Sequence, residues 1–294
     1  MHYLILSILS SASLMIIFKY FERFKVHTFD AIVYNYLVAG VLSIALDSSG
    51  IPFEASSQQP WFLNALIIGV LFITLFNVIG ISTQKIGVSV TTVSNKMSLI
   101  IPVLFAVLIL GDSLNSIKIC GIILALFAVY LTTRVQNRQD IDKRFAFFPI
   151  IVFIGSGFID SFFKYNETYT LGENGMQPFI SWIFITAFVV GIIAFGVRFF
   201  KSGTLPQKKA LLGGIALGVP NYFSVYFLIK SLSIKTIQSS VVFPVNNMAI
   251  VAVSALAGIF LFNEKITKIN LVGILLCIVA IALIAFSEQI LNLF

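Results

Sequence analysis

The chain has 294 residues, of which 59% are hydrophobic and 11% charged, with a formal net charge of +7. A soluble domain carries about 25% charged residues, so a water-exposed fold is excluded and the bilayer must be the solvent for most side chains. Lipid offers backbone groups no hydrogen bonds, which leaves helices or closed barrels, and apolar runs of about 20 residues without alternation select helices.

These runs predict ten transmembrane helices, over residues 2–20, 29–47, 61–83, 87–110, 114–133, 146–165, 178–199, 209–230, 236–262 and 268–287. The first lacks a basic leader and a small-residue cleavage site, so it reads as a helix and not as a cleaved signal peptide. The longest connections are 48–60, rich in Ser and Gln, and the basic linker 135–145. Neither can hold a soluble domain.

The two halves of the chain read as one unit written twice. Phe18-Lys19-Tyr20-x-Glu22 returns as Phe163-Lys164-Tyr165-x-Glu167, an offset of 145. At an offset of 152, Asn95 falls on Asn247, Asp112 on Glu264, Ile117 on Ile269, Gly121 on Gly273, Leu124 on Leu276, Ala128 on Ala280 and Leu131 on Leu283. The change of offset implies a small insertion between Lys230 and Asn247. The expected organisation is a first five-helix repeat over 1–134, the linker 135–145, and a second five-helix repeat over 146–294. Five is odd, so the second repeat enters the bilayer from the opposite side. The fold class expected is therefore all-α, with two inverted repeats, a symmetry that secondary transporters use to alternate access around one site.

Charge sets the orientation. Fourteen of the 19 Lys/Arg residues follow odd-numbered spans: Lys19, Arg23, Lys25, Lys85, Arg134, Arg138, Lys143, Arg144, Arg198, Lys201, Lys208, Lys209, Lys265 and Lys268. Basic loops stay cytoplasmic, which predicts a multi-pass protein of the inner or plasma membrane with both termini outside the cytoplasm. The same distribution makes the net charge a topology signal and gives no reason to expect a nucleic-acid partner.

The turns Gly111-Asp112-Ser113-Leu114 and Asn263-Glu264-Lys265-Ile266, each followed by a glycine (Gly121, Gly273) in the next span, resemble the turn before the fifth helix of each repeat in the drug/metabolite transporter superfamily. With ten spans in two halves, the resemblance covers almost the whole chain. It implies a duplicated ten-helix transporter with a central cavity among helices 1, 3, 4, 6, 8 and 9. Many bacterial proteins of that type carry a basic loop after span 2, with both termini cytoplasmic. Here the loop Asp47 to Pro60 has no Lys or Arg, which marks a departure.

Candidate functional residues are the polar groups held inside spans. An ionisable group at mid-membrane costs at least about 2.5–3.5 kcal/mol on insertion scales. Lys96 lies near the middle of span 4 and Asp160 within span 6. By the repeat offsets, Lys96 falls on Met248 and Asp160 on Met15, so neither charge is a shared demand of the repeat. Ser89, Thr92 and Lys96 share one helical face, as do Ser156, Asp160 and Lys164. The structural alternatives are a helix-surface pair of Asp160 with Lys164 and a buried pair of Lys96 with Asp160. Amides form a second set: Asn95 and its mate Asn247, Asn246 beside it after Pro244, Asn77 in span 3, and Asn221 with Tyr222 after Pro220. Pro102 and Pro244 are placed to loosen spans 4 and 9. Each amide alone reads as an interhelical hydrogen bond; together, in spans 3, 4, 8 and 9, they read as a polar cavity.

Gly214-x-x-x-Gly218 and Ser254-x-x-x-Gly258 read as close-packing stripes. Asp112 and Glu264 read as helix-start residues, and Cys120 and Cys277 as packing residues. The inventory suits a secondary transporter of a small polar organic solute, an amino acid, sugar or related anion or zwitterion, with a coupling proton or ion as a candidate partner. Its partners are that solute and membrane lipid, with the chain acting as a monomer or homodimer. The alternatives are a flippase of a lipid-linked sugar and, far behind, an intramembrane enzyme. His2 and His27 both lie at membrane edges, which removes a mid-membrane histidine dyad or metal site. No catalytic residue, metal or cofactor is expected.

Overall fold

In a bilayer the backbone must satisfy itself, and the computed structural model of the protein does so with helices alone among the residues it describes: 2–85, 88–133, 147–172, 174–234, 238–262 and 267–291. They are α1 (His2–Phe24), α2 (Thr28–Ala45), α3 (Phe62–Lys85), α4 (Val88–Met97), α5 (Ile100–Leu110), α6 (Ser116–Thr133), α7 (Phe148–Tyr169), α8 (Met176–Ser202), α9 (Lys208–Leu232), α10 (Ser239–Phe262), α11 (Lys268–Ala285) and α12 (Ser287–Leu291), with a 3-10 turn at Phe53–Gln58. Among the described residues nine helical segments are long and apolar enough to cross a membrane, and Ser116–Leu131 is a shorter apolar one. The linker 135–145, the turn at Glu264 and the side chains of Glu22 and Ser89 lie outside the described residues.

The chain divides into two compact units, and each mixes helices from both sequence halves. The first comprises Met1–Asn77 and Tyr165–Ser233; the second comprises Val78–Lys164 and Ile234–Phe294.

In the first unit α9 packs on α1 and α2, and α2 packs on α8. The glycine stripe on α9 is what lets α2 approach. A Cβ on Gly218 would stand 2.6 Å from Val38 Cβ and 2.8 Å from the Asn35 carbonyl oxygen, and Gly214 faces Tyr34 as closely. Within the interface the Asn221 Nδ2 donates to Asn35 Oδ1 at 3.1 Å. Pro220 lies inside α9 without ending it.

In the second unit α6 pairs with α11, and α10 packs on α5, α6 and α11. Gly121 lets α6 touch Ile284 of α11. Both helices start in the same way at repeat-matched positions. Asn115 Oδ1 accepts from the Lys118 backbone N–H at 2.7 Å, and Thr267 Oγ1 accepts from that of Asn270 at 3.2 Å, closing a capping box. Asp112 serves a helix start, as expected of it, but of a helix distant in sequence. Its carboxylate does not cap the helix that follows it; Asp112 Oδ2 accepts from the Ser240 backbone N–H at 2.8 Å, in the first turn of α10. The orphan N–H groups of any helix start will take a carboxylate from whichever chain segment folds alongside. Cys120 and Cys277 are both free thiols, the second buried and the first exposed.

Candidate functional site

Span 4 is not one helix. α4 ends at Met97 and α5 begins at Ile100. Pro102 has no N–H to give the Ser98 carbonyl, which turns to Ile101 N–H at 2.9 Å instead. Leu99 N–H likewise reaches back only three residues, to the Lys96 carbonyl at 3.4 Å, and Ser98 Oγ donates to the Asn95 carbonyl at 2.5 Å. The ladder tightens and breaks within the apolar segment Thr91–Leu110. Lys96 therefore stands in the last turn of a ten-residue half-helix. Carbonyl oxygens at a helix C-terminus carry partial negative charge, which favours an ammonium there.

The Lys96 side chain is buried and crosses to α10, where Nζ donates to Asn247 Oδ1 at 3.3 Å. Asp160 of α7 lies within electrostatic reach of Lys96 and of the same Asn247 side chain. The chemistry fixes the direction of the amide. An ammonium only donates, so Asn247 turns its oxygen to Lys96, and its nitrogen is the end of the amide that a carboxylate can approach. Three helices thus converge on one amide, with opposite charges on its two sides. The adjoining residue tightens the arrangement: Asn95 Nδ2 donates to Ser156 Oγ at 2.8 Å, tying α4 to α7 one turn before Asp160. Asn246, next to Asn247, is buried and its Oδ1 has no hydrogen-bond partner in the protein.

Five of the predicted residues, Lys96, Asn95, Asp160, Asn246 and Asn247, belong to the second unit, where Lys96, Asp160 and Asn247 make one connected group. The other three belong to the first. Asn77 Nδ2 donates within its own helix, to the Ile73 carbonyl at 2.7 Å. Asn221 pairs with Asn35, and Tyr222 is buried, stacked on Tyr226 with ring centroids 5.8 Å apart. α4 and α10 do meet through Lys96, while Asn95 itself turns away from its repeat mate toward α7.

Sequence reasoning missed a polar group in the first unit. Asp30 is buried at the start of α2, and its Oδ1 accepts from Arg198 Nη1 at 2.6 Å and faces His27 Nδ1 at 2.9 Å. Its Oδ2 accepts from the Gln207 backbone N–H, the residue before α9, at 2.7 Å. Gln207 in turn holds the turn before α2, accepting from His27 N–H at 2.7 Å and donating to the Lys25 carbonyl at 3.1 Å. This carboxylate joins α2, α8 and the start of α9. Among the described residues no cluster of His, Cys, Asp and Glu could hold a metal ion.

The profile of the EamA-like transporter family matches residues 1–134 and 168–286. An uncharacterized protein of Haemophilus influenzae is 27% identical over 299 residues, covering 99% of both chains. A protein of known crystal structure superposes with a TM-score of 0.80 over 98% of this chain and 97% of that one, at 13% identity; it shares the fold.

Proposed function

The chain belongs to the EamA-like transporter family, within the drug/metabolite transporter superfamily, and from that premise we propose that it moves a small polar organic solute bearing an anionic group, by alternating access. The observation that carries this reading is the Lys96–Asn247–Asp160 group at a helix break. Lys96 has three N–H donors, and one is taken by Asn247. The others are available to a carboxylate or similar oxyanion, while the unpartnered Asn246 Oδ1 offers an acceptor to a donor on the same solute. Asp160 keeps the group neutral between turnovers and is positioned to carry a proton when the solute's own charge balances Lys96. Broken spans that leave backbone carbonyls at mid-membrane are how transporters build such sites. Amino acids and sugar acids fit this donor and acceptor set.

Counterflow in proteoliposomes tests the proposal. Vesicles loaded with one member of a panel of amino acids, sugar acids and neutral sugars should accumulate a labelled, carboxylate-bearing solute, and Lys96→Met should abolish that flux. Transport confined to neutral or purely cationic solutes would overturn the assignment of Lys96 to an anion.

A further inference from the structure

A broken helix does not fix the angle between its two halves. At the end of α4 the Leu99 and Ile101 N–H groups reach back only three residues, to the Lys96 and Ser98 carbonyls, and Pro102 has no N–H to offer. The bend is therefore set by what packs against it. In the second unit α7 does so on both sides of the break. Before it, Ser156 Oγ accepts from Asn95 Nδ2 at 2.8 Å. After it, the first turn of α5 rests on Gly157: a Cβ at that position would stand 2.5 Å from Ile101 Cδ1 and 2.6 Å from Ile101 Cβ. Carbon atoms in ordinary contact are about 3.5–4.0 Å apart, so a side chain at this position would displace α5 from α7 by about 1 Å. Turning the Ile101 side chain cannot relieve this, because its Cβ is fixed to the backbone.

The two repeats differ at these places. By the offset of 152, Pro102 falls on Ser254 and Ile101 on Val253, and α10 runs from Ser239 to Phe262 without a break. By the offset of 145, Gly157 falls on Ala12. Asn95 and Ser156, by contrast, have mates of their own type, Asn247 and Ser11. The break, its proline and the glycine beneath it thus accompany Lys96 and Asp160, whose mates are Met248 and Met15. A packing demand common to both repeats would put glycine at both positions. A demand made by Lys96 puts it at one.

We propose that Gly157 and Ser156 are positioning residues that hold the span-4 break at the angle aiming Lys96 at Asn247, and that through Lys96 they set the preference for a carboxylate, a role that rests on Lys96 meeting the anionic solute. Lys96 follows Asn95 directly and stands in the last turn of α4. Its Nζ is already 3.3 Å from Asn247 Oδ1, beyond the usual 2.7–3.2 Å range of an N–H···O bond. A shift of about 1 Å at the break therefore takes Lys96 out of reach of the amide, since hydrogen bonds weaken steeply with misplacement. Gly157 acts through Ile101 and the backbone of the break, and Ser156 through Asn95.

Cross-linking tests the geometry without any solute. In protein whose two free thiols are removed by Cys120→Ser and Cys277→Ala, Lys96→Cys and Asn247→Cys are joined by a short bifunctional methanethiosulfonate. Gly157→Ala and Ser156→Ala should each slow the reaction several-fold, and Ser156→Thr, which keeps the hydroxyl, should restore it. Transport tests the consequence in chains that retain Lys96 and Asn247. Counterflow of alanine and gluconate is compared with that of their amides in proteoliposomes. Gly157→Ala should cut the preference for the carboxylate about ten-fold, whereas a role in packing alone lowers carboxylate and amide alike. If Gly157→Ala fails to insert, the serine variants carry both measurements. Cross-linking unchanged in Gly157→Ala and Ser156→Ala would overturn the positioning role, and slowed cross-linking with the carboxylate preference intact would overturn its effect on selectivity. A carboxylate preference that survives Lys96→Met would instead overturn the assignment of Lys96 to the anion, and is told apart by cross-linking that still depends on Gly157.

Discussion

Lys96 grips the repeat mate of its own neighbour: its Nζ donates to Asn247 Oδ1 at 3.3 Å, and Asn247 stands 152 residues after Asn95. One copy of the matched asparagine serves as the amide between Lys96 and Asp160, and the other ties α4 to Ser156 of α7 at 2.8 Å. The repeat offset matches the two amides by position. Their roles diverge because the two copies are flanked differently: Lys96 follows one, and Asn246 with Pro244 precedes the other.

Two readings of this group separate by mutation. Lys96 is buried and Asp160 half-buried; removing one member of such a group leaves a charge uncompensated, at a cost that reaches about 3–5 kcal/mol where burial is complete, whereas removing both can be neutral. The double variant Lys96→Met with Asp160→Met is therefore expected to insert and remain monodisperse. If Lys96 meets the solute, that variant is transport-dead in proteoliposomes. A flux near wild type would reduce the pair to packing and remove it from the site.

Much of this was legible in the chain. Runs of apolar residues place the helices because a bilayer tolerates little else, and a lone Lys or Asp within such a run stands out by its cost. Asn247 was found through its offset from Asn95. The break at Ser98 and Leu99 was legible only in part: Pro102 signals a weakened ladder, but hydropathy averages over a break that keeps the same apolar residues on both sides. The Asp30 group was not legible. Asp30 and Arg198 are 168 residues apart and each sits near a span end, where single charges are ordinary; only folding brings the carboxylate to the N–H before α9. Asp112 was recognised as a capping residue, but the helix it caps is set by tertiary neighbours.

The α2–α9 contact predicts an asymmetry among glycines. Alanine normally favours a helix over glycine by about 1 kcal/mol. At Gly218 the added methyl meets Val38 Cβ at 2.6 Å and the Asn35 carbonyl at 2.8 Å, and overpacking of this kind costs about 1–3 kcal/mol. At Gly196, also helical, nothing lies within 4 Å. Gly218→Ala should lower the melting temperature in detergent, and Gly196→Ala should leave it unchanged or raise it slightly. Equal effects at the two positions would mean that α2 and α9 do not pack at this separation.

Asp30 predicts a stability effect away from the transport site. Asp30→Ala removes the carboxylate paired with Arg198 and leaves the Gln207 N–H without its acceptor, for a loss on the order of 2–4 kcal/mol. Asp30→Asn keeps an oxygen for Gln207 but loses the charge paired with Arg198, so it should fall between alanine and wild type. Thermal denaturation of the purified protein orders the three. Wild-type stability in Asp30→Ala would show that the ion pair is offset by the cost of desolvating it.

The orientation of the chain is the prediction with the widest reach, because it decides which face of each unit meets the cytoplasm. Fourteen of the 19 Lys/Arg residues follow odd-numbered spans, and the loop from Asp47 to Pro60 has none. Moving basic residues across the membrane during insertion is disfavoured, and the bias of short loops sets the topology. Both termini are therefore expected outside the cytoplasm. A C-terminal fusion after Phe294 should be active with a reporter that works only outside, such as an alkaline phosphatase, and dark with a fluorescent protein that matures only in the cytoplasm. Bright fluorescence and no phosphatase activity would reverse the orientation.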